Sequence, residues 1–292
     1  MSIERKALLM IFIIPVLWGA TFPLIHKVVA VYNPVVFVYW RFLVSSIILL
    51  PVLILAICHR QIKRIELIYG LLIGFMNSGA FILQSIALQY VDSSRTAFLT
   101  GVNVVLVPLL IPFFALAKPK KIELIAAVLC LFGIYLLSGA DFTHYNIGDI
   151  LVLGSALCIA LGIILVEKAS RISQNLMLLT FYQISLTLII PIGLLGKQTF
   201  NLPTGNLFWV GIAYCGLFAT VIPLFLQMKY QKYVGSSRAA VIFSLEAVSA
   251  TFFAWLVGEQ IALDVILGGG LVLLSSILPD LYRIVIGNKS SF

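Results

Sequence analysis

Two charged residues lie within long apolar stretches of the sequence, where an ionised side chain requires a partner or a task. Glu246 follows Arg238 by eight residues, and Arg41 lies seven residues beyond Pro34. A carboxylate can bind an amine or carry a proton, and a guanidinium can hold a carboxylate. Together they predict a site for a zwitterion. The alternatives are a carboxyl group that fastens helices and an arginine that pairs with it or reaches a loop.

Asn103 is the counterpart of Glu246 in a phrase that the chain contains twice. YVDSSRTAFLTGVNVV is followed 143 residues later by YVGSSRAAVIFSLEAV. The same offset pairs Gln84 with Gln227. The change from an amide to an acid predicts that a nearly symmetric frame holds an asymmetric pocket, to which both Asn103 and Glu246 contribute.

Further candidate substrate contacts are polar or aromatic residues in the same apolar stretches. Gln84 and Gln227 are expected to line a central cavity, or else to bond neighbouring helices together. Trp18 lies about ten residues inside its stretch, deeper than the interfacial belt where most membrane tryptophans lie, and predicts an apolar wall. Tyr182 and Tyr214 complete the candidates for substrate binding.

The elements that must position these residues are membrane-spanning helices. Of the 292 residues, 62 % are hydrophobic and 10 % are charged, too few polar residues to cover a soluble domain of this length. The apolar runs match the roughly 20 residues with which a helix crosses about 30 Å of hydrocarbon. Loop signals divide the chain into ten predicted spans: 7–30, 34–57, 66–90, 94–117, 121–139, 147–167, 173–196, 206–232, 236–257 and 262–286.

The basic residues predict the orientation of these spans. If both termini are cytoplasmic, most of the 19 Lys and Arg residues lie on the cytoplasmic side, and only Lys27, Arg95 and Lys197 lie on the opposite side. The net charge of +8 then reflects short loops beside anionic headgroups and predicts no nucleic-acid partner. We expect a multi-pass protein of the cytoplasmic (inner) membrane, whose partners are the lipid bilayer and a small-molecule substrate.

The span count predicts how the two copies of the phrase are related. Each half holds five spans, an odd number, so the second half must enter the membrane from the opposite side. The sequence therefore predicts an all-α integral membrane protein made of two inverted five-helix repeats, residues 1–140 and 141–292. Inverted repeats are typical of secondary transporters, in which they expose a central site alternately to the two sides.

Short motifs add a family resemblance that extends over essentially the whole chain. WGATF in the first span (Trp18–Phe22) and SLEAV leading into LVGEQ in the ninth resemble the EamA branch of the drug/metabolite transporter superfamily. The chain departs from that pattern at Ala247, where members often have proline, and at the end of the fourth span, which reads AKPKK instead of a GE pair. The resemblance implies transport of small metabolites, amino acids among them.

Three other functions are less compatible with the sequence. A nucleotide-sugar or sugar-phosphate exchanger of the same superfamily would need several basic residues in its cavity, where only Arg41 is available. An intramembrane enzyme would need a motif such as HExxH or GxSxG, which the chain lacks. A receptor or scaffold has no need of inverted repeats. The sequence predicts a non-enzymatic carrier without cofactor or metal, for an amino acid or related amine-bearing compound, working by alternating access.

Overall fold

The computed structural model describes residues 2–29, 31–87, 90–91, 93–138, 146–196, 203–256 and 263–287, which form a bundle of helices without a strand. A 3₁₀ turn (Ile111–Phe114) follows α6, and a π-helical turn (Leu217–Val221) joins α11 to α12. The helices are α1 (Ile3–Gly19), α2 (Phe22–Val29), α3 (Pro34–Cys58), α4 (Arg64–Ala87), α5 (Ser93–Gly101), α6 (Asn103–Leu110), α7 (Lys121–Ser138), α8 (Ile147–Ile172), α9 (Leu176–Leu186), α10 (Ile189–Leu195), α11 (Asn206–Gly216), α12 (Ile222–Val234), α13 (Ser236–Phe243), α14 (Leu245–Leu256) and α15 (Leu263–Gly287).

Seven helical segments in the described part of the chain are long and apolar enough to cross a membrane. They correspond to the second, third, fifth, sixth, seventh, eighth and tenth predicted spans, so the chain is a multi-pass membrane protein. The other three predicted spans are built from pairs of shorter helices: α1 with α2, α5 with α6, and α13 with α14. The count of ten spans stays a prediction.

The surface of the bundle is apolar along its length. Large side chains such as Ile54, Phe75, Ile150 and Val210 are more than half exposed. In water such a surface would drive association, whereas in a bilayer the lipid chains cover it. The protein is therefore built for a lipid environment.

Two spans are interrupted at nearly equivalent positions of the repeated phrase. The break between α5 and α6 lies at Val102, and the break between α13 and α14 lies at Ser244. The Ser244 hydroxyl donates to the carbonyl of Ala240 at 3.1 Å, in addition to the helical bond from the Ser244 N–H at 3.2 Å, and such a side-chain bond bends helices. As a result Asn103 and Glu246 both lie in the first turn of a helix that begins inside a predicted span.

Two prolines explain further interruptions and leave carbonyl groups free for side chains. Proline has no backbone N–H, so it removes the donor for the carbonyl four residues earlier. Pro191 removes the helical donor for the carbonyl of Thr187. This carbonyl accepts a hydrogen bond from the Ser78 hydroxyl instead, at 2.8 Å. Pro223 removes the α-helical donor for the carbonyl of Ala219, which lies in the π-helical turn.

Charged and aromatic residues mark opposite ends of the bundle. At one end, which we call the basic end, Arg283 pairs with Glu4 at 3.4 Å, and Arg238 pairs with Asp280. These four residues line a cavity of about 440 Å³ there. The opposite end, which we call the aromatic end, contains a cluster of edge-on rings: Tyr32, Phe37, Trp40, Phe208 and Trp209.

The packing of the helices follows a matched pattern. α1 packs against α12 and α14, and α8 packs in the same way against α4 and α6. α3 packs against α9, and α7 packs against α15, each with the helix that occupies its place in the other half. This is the pattern expected of the two predicted repeats, whose boundary at 140/141 lies outside the described residues.

Candidate functional site

Arg41 is buried in α3 and is held by the π-helical turn. Its Nε donates to the Thr220 hydroxyl at 2.7 Å, and its Nη2 donates to the carbonyl of Ala219 at 2.8 Å. The guanidinium also lies over the ring of Phe81, 5.2 Å from its centre. Its Nη1 has no hydrogen-bond partner among the described residues. The arginine therefore has a fixed orientation and donor capacity left for a ligand.

Trp18 of α1 shares this anchor. Its indole Nε1 donates to the carbonyl of Ala219 at 3.0 Å, and its ring meets Phe243 edge-on with 5.5 Å between the centres. Pro223 removes the α-helical donor of this carbonyl, four residues later. The carbonyl thus joins α1, α3 and the turn between α11 and α12.

Glu246 lies in the first turn of α14 and is half-buried. It interacts electrostatically with Arg41. However, no oxygen of Glu246 lies within 4.0 Å of an Arg41 nitrogen, so the two side chains do not form an ion pair. In the described part of the chain, its carboxylate accepts no hydrogen bond. An acidic and a basic side chain thus lie near each other without forming an ion pair, and both have unused hydrogen-bonding capacity.

Gly19 brings α1 and α14 close enough to place Trp18 near Glu246. A Cβ at Gly19 would lie 2.7 Å from the backbone nitrogen of Ala250 and 2.9 Å from the carbonyl oxygen of Glu246, and it would also touch the Cβ of Ser249. Distances this short are not compatible with a side chain. The WG pair of the first predicted span therefore combines an aromatic ring with a close helix contact.

The paired glutamines have different neighbours. Gln84 donates to the Thr100 hydroxyl at 3.1 Å, and Asn103 donates to the Thr100 carbonyl at 2.7 Å, so these two candidates meet at one residue. Gln227 is buried in α12 and donates to Gln231 at 2.9 Å. The structure does not bring Gln84 and Gln227 into hydrogen-bond contact with each other.

The two tyrosine candidates lie on other helix contacts. Tyr182 packs against Gly70 where α4 meets α9. Tyr214 stacks on Phe218, which is 42 % exposed, with 5.5 Å between ring centres. Within the described residues, neither tyrosine makes a hydrogen bond or a ring contact with Arg41 or Trp18, and a substrate role for these tyrosines stays a prediction.

Sequence reasoning missed three contributors to the site: the carbonyl of Ala219, the hydroxyl of Thr220 and the ring of Phe243. A signal existed for the first, because Pro223 follows Ala219 by four residues and frees its carbonyl. Phe243 precedes the helix break before Glu246, but nothing in the sequence indicates that it meets Trp18. The VGEQ part of the LVGEQ motif lies outside the described residues.

Comparison with known proteins gives consistent matches over the chain. The model of the EamA-like transporter family matches residues 5–139 and 146–278. An uncharacterized transporter of Archaeoglobus fulgidus is 30 % identical over 272 residues, which cover 92 % of this chain and 84 % of the relative. The uncharacterized transporter YdfC of Bacillus subtilis is 24 % identical over 260 residues, covering 87 % and 84 %. A protein crystal structure with 14 % identity has the same fold, with a TM-score of 0.78 over 97 % of this chain and 99 % of the other.

Proposed function

The chain belongs to the EamA-like transporter family, and we propose that it carries an amino acid or a related amine-bearing metabolite across the cytoplasmic membrane by alternating access. The observation that supports this substrate class is the relation between Glu246 and Arg41. The two side chains interact electrostatically without forming an ion pair, and each keeps hydrogen-bonding capacity. A zwitterion placed between them would complement both charges.

The fixed orientation of Arg41 supports recognition of a carboxylate. Because Nε and Nη2 are held by Thr220 and Ala219, Nη1 presents its donors without a further loss of side-chain freedom. Glu246 would accept hydrogen bonds from the ammonium group of the same substrate. Leaving an acid and a base without an ionic partner at membrane depth is costly, so a bound zwitterion compensates them.

The aromatic rings support binding of the remaining part of the substrate. Trp18 and Phe243 meet edge-on beside the helix turn that carries Glu246. Such rings offer an apolar surface and, for an amine, an attractive π face. An apolar or aromatic amino-acid side chain fits this environment best.

Helix packing supports alternating access by exchange of conformations between the repeats. α13 packs against α6 and α7 at the basic end, whereas its counterpart α5 makes no comparable contact with α14 or α15 within the described ranges. We infer from this asymmetry a carrier whose halves are joined by α13 at the basic end, beside the cavity of about 440 Å³, and are not joined by α5 at the aromatic end, where the ring cluster links them. By the positive-inside rule the basic end faces the cytoplasm, with both termini on that side.

The alternative substrate class, nucleotide sugars or sugar phosphates, finds less support. A phosphate needs several cationic donors, and Arg41 is the one charged group among the described residues that acts on Glu246. The carboxylate of Glu246 would also repel a phosphate. These features favour a substrate with an amine.

Counterflow in proteoliposomes would test the proposal, with a panel of labelled amino acids, amines, nucleotide sugars and sugar phosphates. We expect exchange of one or more amino acids, reduced at least about tenfold in Glu246→Gln, the size of one lost charge-assisted hydrogen bond. Glu66→Gln is the matched control, because Glu66 is a buried acid (1 % exposed) on α4 that bonds the turn after α8. The substrate assignment is wrong if Glu246→Gln keeps full amino-acid uptake, or if only the phosphorylated compounds exchange.

A further inference from the structure

A buried carboxylate outside the candidate site ties α8 to the start of α13. Glu167 is 4 % exposed, and both of its oxygens are occupied. Oε1 accepts hydrogen bonds from Nε and Nη2 of Arg171 at 3.1 and 2.7 Å. Oε2 accepts from the backbone N–H and the hydroxyl of Ser236, both at 2.6 Å. Ser236 is the first residue of α13, so the carboxylate also binds at the positive end of that helix dipole.

Further hydrogen bonds fasten the end of α12 to the same part of α8. Gln231 donates to the carbonyl of Ile163 at 2.6 Å and accepts from Gln227 at 2.9 Å. Lys232 donates to the carbonyl of Ser170 at 3.0 Å. The end of α12 and the beginning of α13 are thus clamped onto the last turns of α8, at the basic end of the bundle.

Among the described residues of the first half, we find no equivalent clamp. Its counterpart to the end of α8 is α2, whose sequence FPLIHKVV contains no acid. Gln84, the counterpart of Gln227, bonds α5 instead of the first span. In keeping with this, α12 packs against α8, while α4 has no comparable contact with α1 among the residues that the structure describes.

We infer that Glu167 is a positioning residue that latches the basic end of the carrier closed. The inference rests on the alternating-access part of the proposed function. If the repeats exchange conformations, α12 and α13 take the arrangement now held by α4 and α5, away from the first span of their own half. The bonds from Ser236 to Glu167 must break in that step. Because the described residues of the first half show no such clamp, the empty carrier favours the state in which α13 is held at the basic end.

Replacement by glutamine tests the latch with little change of shape. Both oxygens of Glu167 accept from donors, so the amide NH₂ of a glutamine must face either Arg171 or the N–H of Ser236. Either orientation sets a donor against a donor and removes one side of the clamp. Glu66→Gln serves as the control. Glu66 bonds Ser173 at the contact of α4 with α8. The equivalent contact of α12 with α1 is also formed, so this contact does not differ between the two halves.

The experiment is hydrogen–deuterium exchange of the full chain in lipid nanodiscs, read by mass spectrometry for peptides of α13 and α5. In Glu167→Gln we expect the amides of α13 to exchange about tenfold faster or more, as for loss of hydrogen bonds to a charged group. We expect those of α5 to exchange at least about threefold more slowly, because α5 then takes the packed arrangement that α13 now holds. Glu66→Gln should match the wild type in both helices.

The slower exchange of α5 separates a latch from local loosening. Faster exchange in α13 without slower exchange in α5 would show fraying of one helix end and would overturn the inference. The inference would also be overturned if exchange in α13 were unchanged, or if Glu66→Gln produced the same changes as Glu167→Gln. If Glu167→Gln is not recovered folded, Ser236→Ala removes one of the bonds to Oε2 and should shift both helices in the same directions by a smaller factor. Exchange needs no substrate, so failure of the transport panel and failure of the latch are distinguishable.

Discussion

The close approach of α1 and α14 at Gly19 makes a quantitative prediction for Gly19→Ala. The added Cβ would lie 2.7 Å from the backbone nitrogen of Ala250 and closer still to the Cβ of Ser249, whereas ordinary contact begins at 3.4 Å, so the two helices must separate by at least about 0.7 Å. The obstructing atoms belong to a helix backbone and cannot rotate away. Overpacking of this kind costs about 1–3 kcal/mol, and we expect the free energy of unfolding to fall by that amount.

The same displacement should reach the candidate site. Trp18 precedes Gly19, and its 3.0 Å bond to the carbonyl of Ala219 lengthens when α1 moves away. We therefore expect both lower stability, measured by unfolding of the purified protein in detergent, and lower amino-acid counterflow in proteoliposomes. A serine or valine at the same position should cost more, in the order of side-chain volume.

Gly270→Ala is the matched control for this prediction. A Cβ at Gly270 of α15 has no neighbour within 4 Å. Alanine favours a helix over glycine by about 1 kcal/mol, so this variant should be as stable as the wild type or more stable. If Gly19→Ala were as stable as the wild type and fully active, the close packing of α1 on α14 at Gly19 would be refuted.

Three further substitutions test single contacts. Arg41→Lys should lower counterflow of zwitterionic amino acids at least about tenfold and that of simple amines much less, because a lysine cannot hold Ala219 and also present a second nitrogen to a carboxylate; equal loss for both substrate types would contradict this role. Trp18→Phe keeps the ring but removes the donor to Ala219, and it should cost about 1 kcal/mol of unfolding free energy, whereas an unchanged melting profile would show that the bond is unimportant. Ser78→Ala leaves the Thr187 carbonyl without a donor and should cost about 0.6–1.7 kcal/mol in detergent unfolding while counterflow stays intact, and a loss of counterflow at unchanged stability would contradict a purely structural role.

Much of the fold could be predicted because membrane spans carry a strong local signal. The second predicted span, 34–57, agrees with α3 (Pro34–Cys58) to within a residue. The first, fourth, seventh, eighth and ninth spans were predicted as continuous segments, whereas each contains two helices. Their breaks depend on side-chain bonds such as that of Ser244 to Ala240, which average hydrophobicity does not reveal.

Prediction of the candidate site was less complete, for a physical reason. The sequence indicates that Glu246 and Arg41 are costly at membrane depth, and therefore worth attention. It does not indicate that Arg41 is held by Thr220, that Trp18 meets Phe243, or that Gln227 belongs to a different set of hydrogen bonds from Gln84. Each of these contacts joins residues from separate helices, so no spacing along the chain encodes it.

By itself, the sequence determined the membrane class, the family resemblance and the approximate positions of most spans, because apolar length, charge and proline act within a single segment. Only the tertiary structure decided that the indole of Trp18 and the guanidinium of Arg41 converge on the carbonyl of Ala219, 201 residues away from the tryptophan. It also decided that Glu167 binds Ser236. A freed carbonyl or a buried carboxylate takes whichever donor helix packing brings within about 3 Å, and that choice depends on how all the helices fit together.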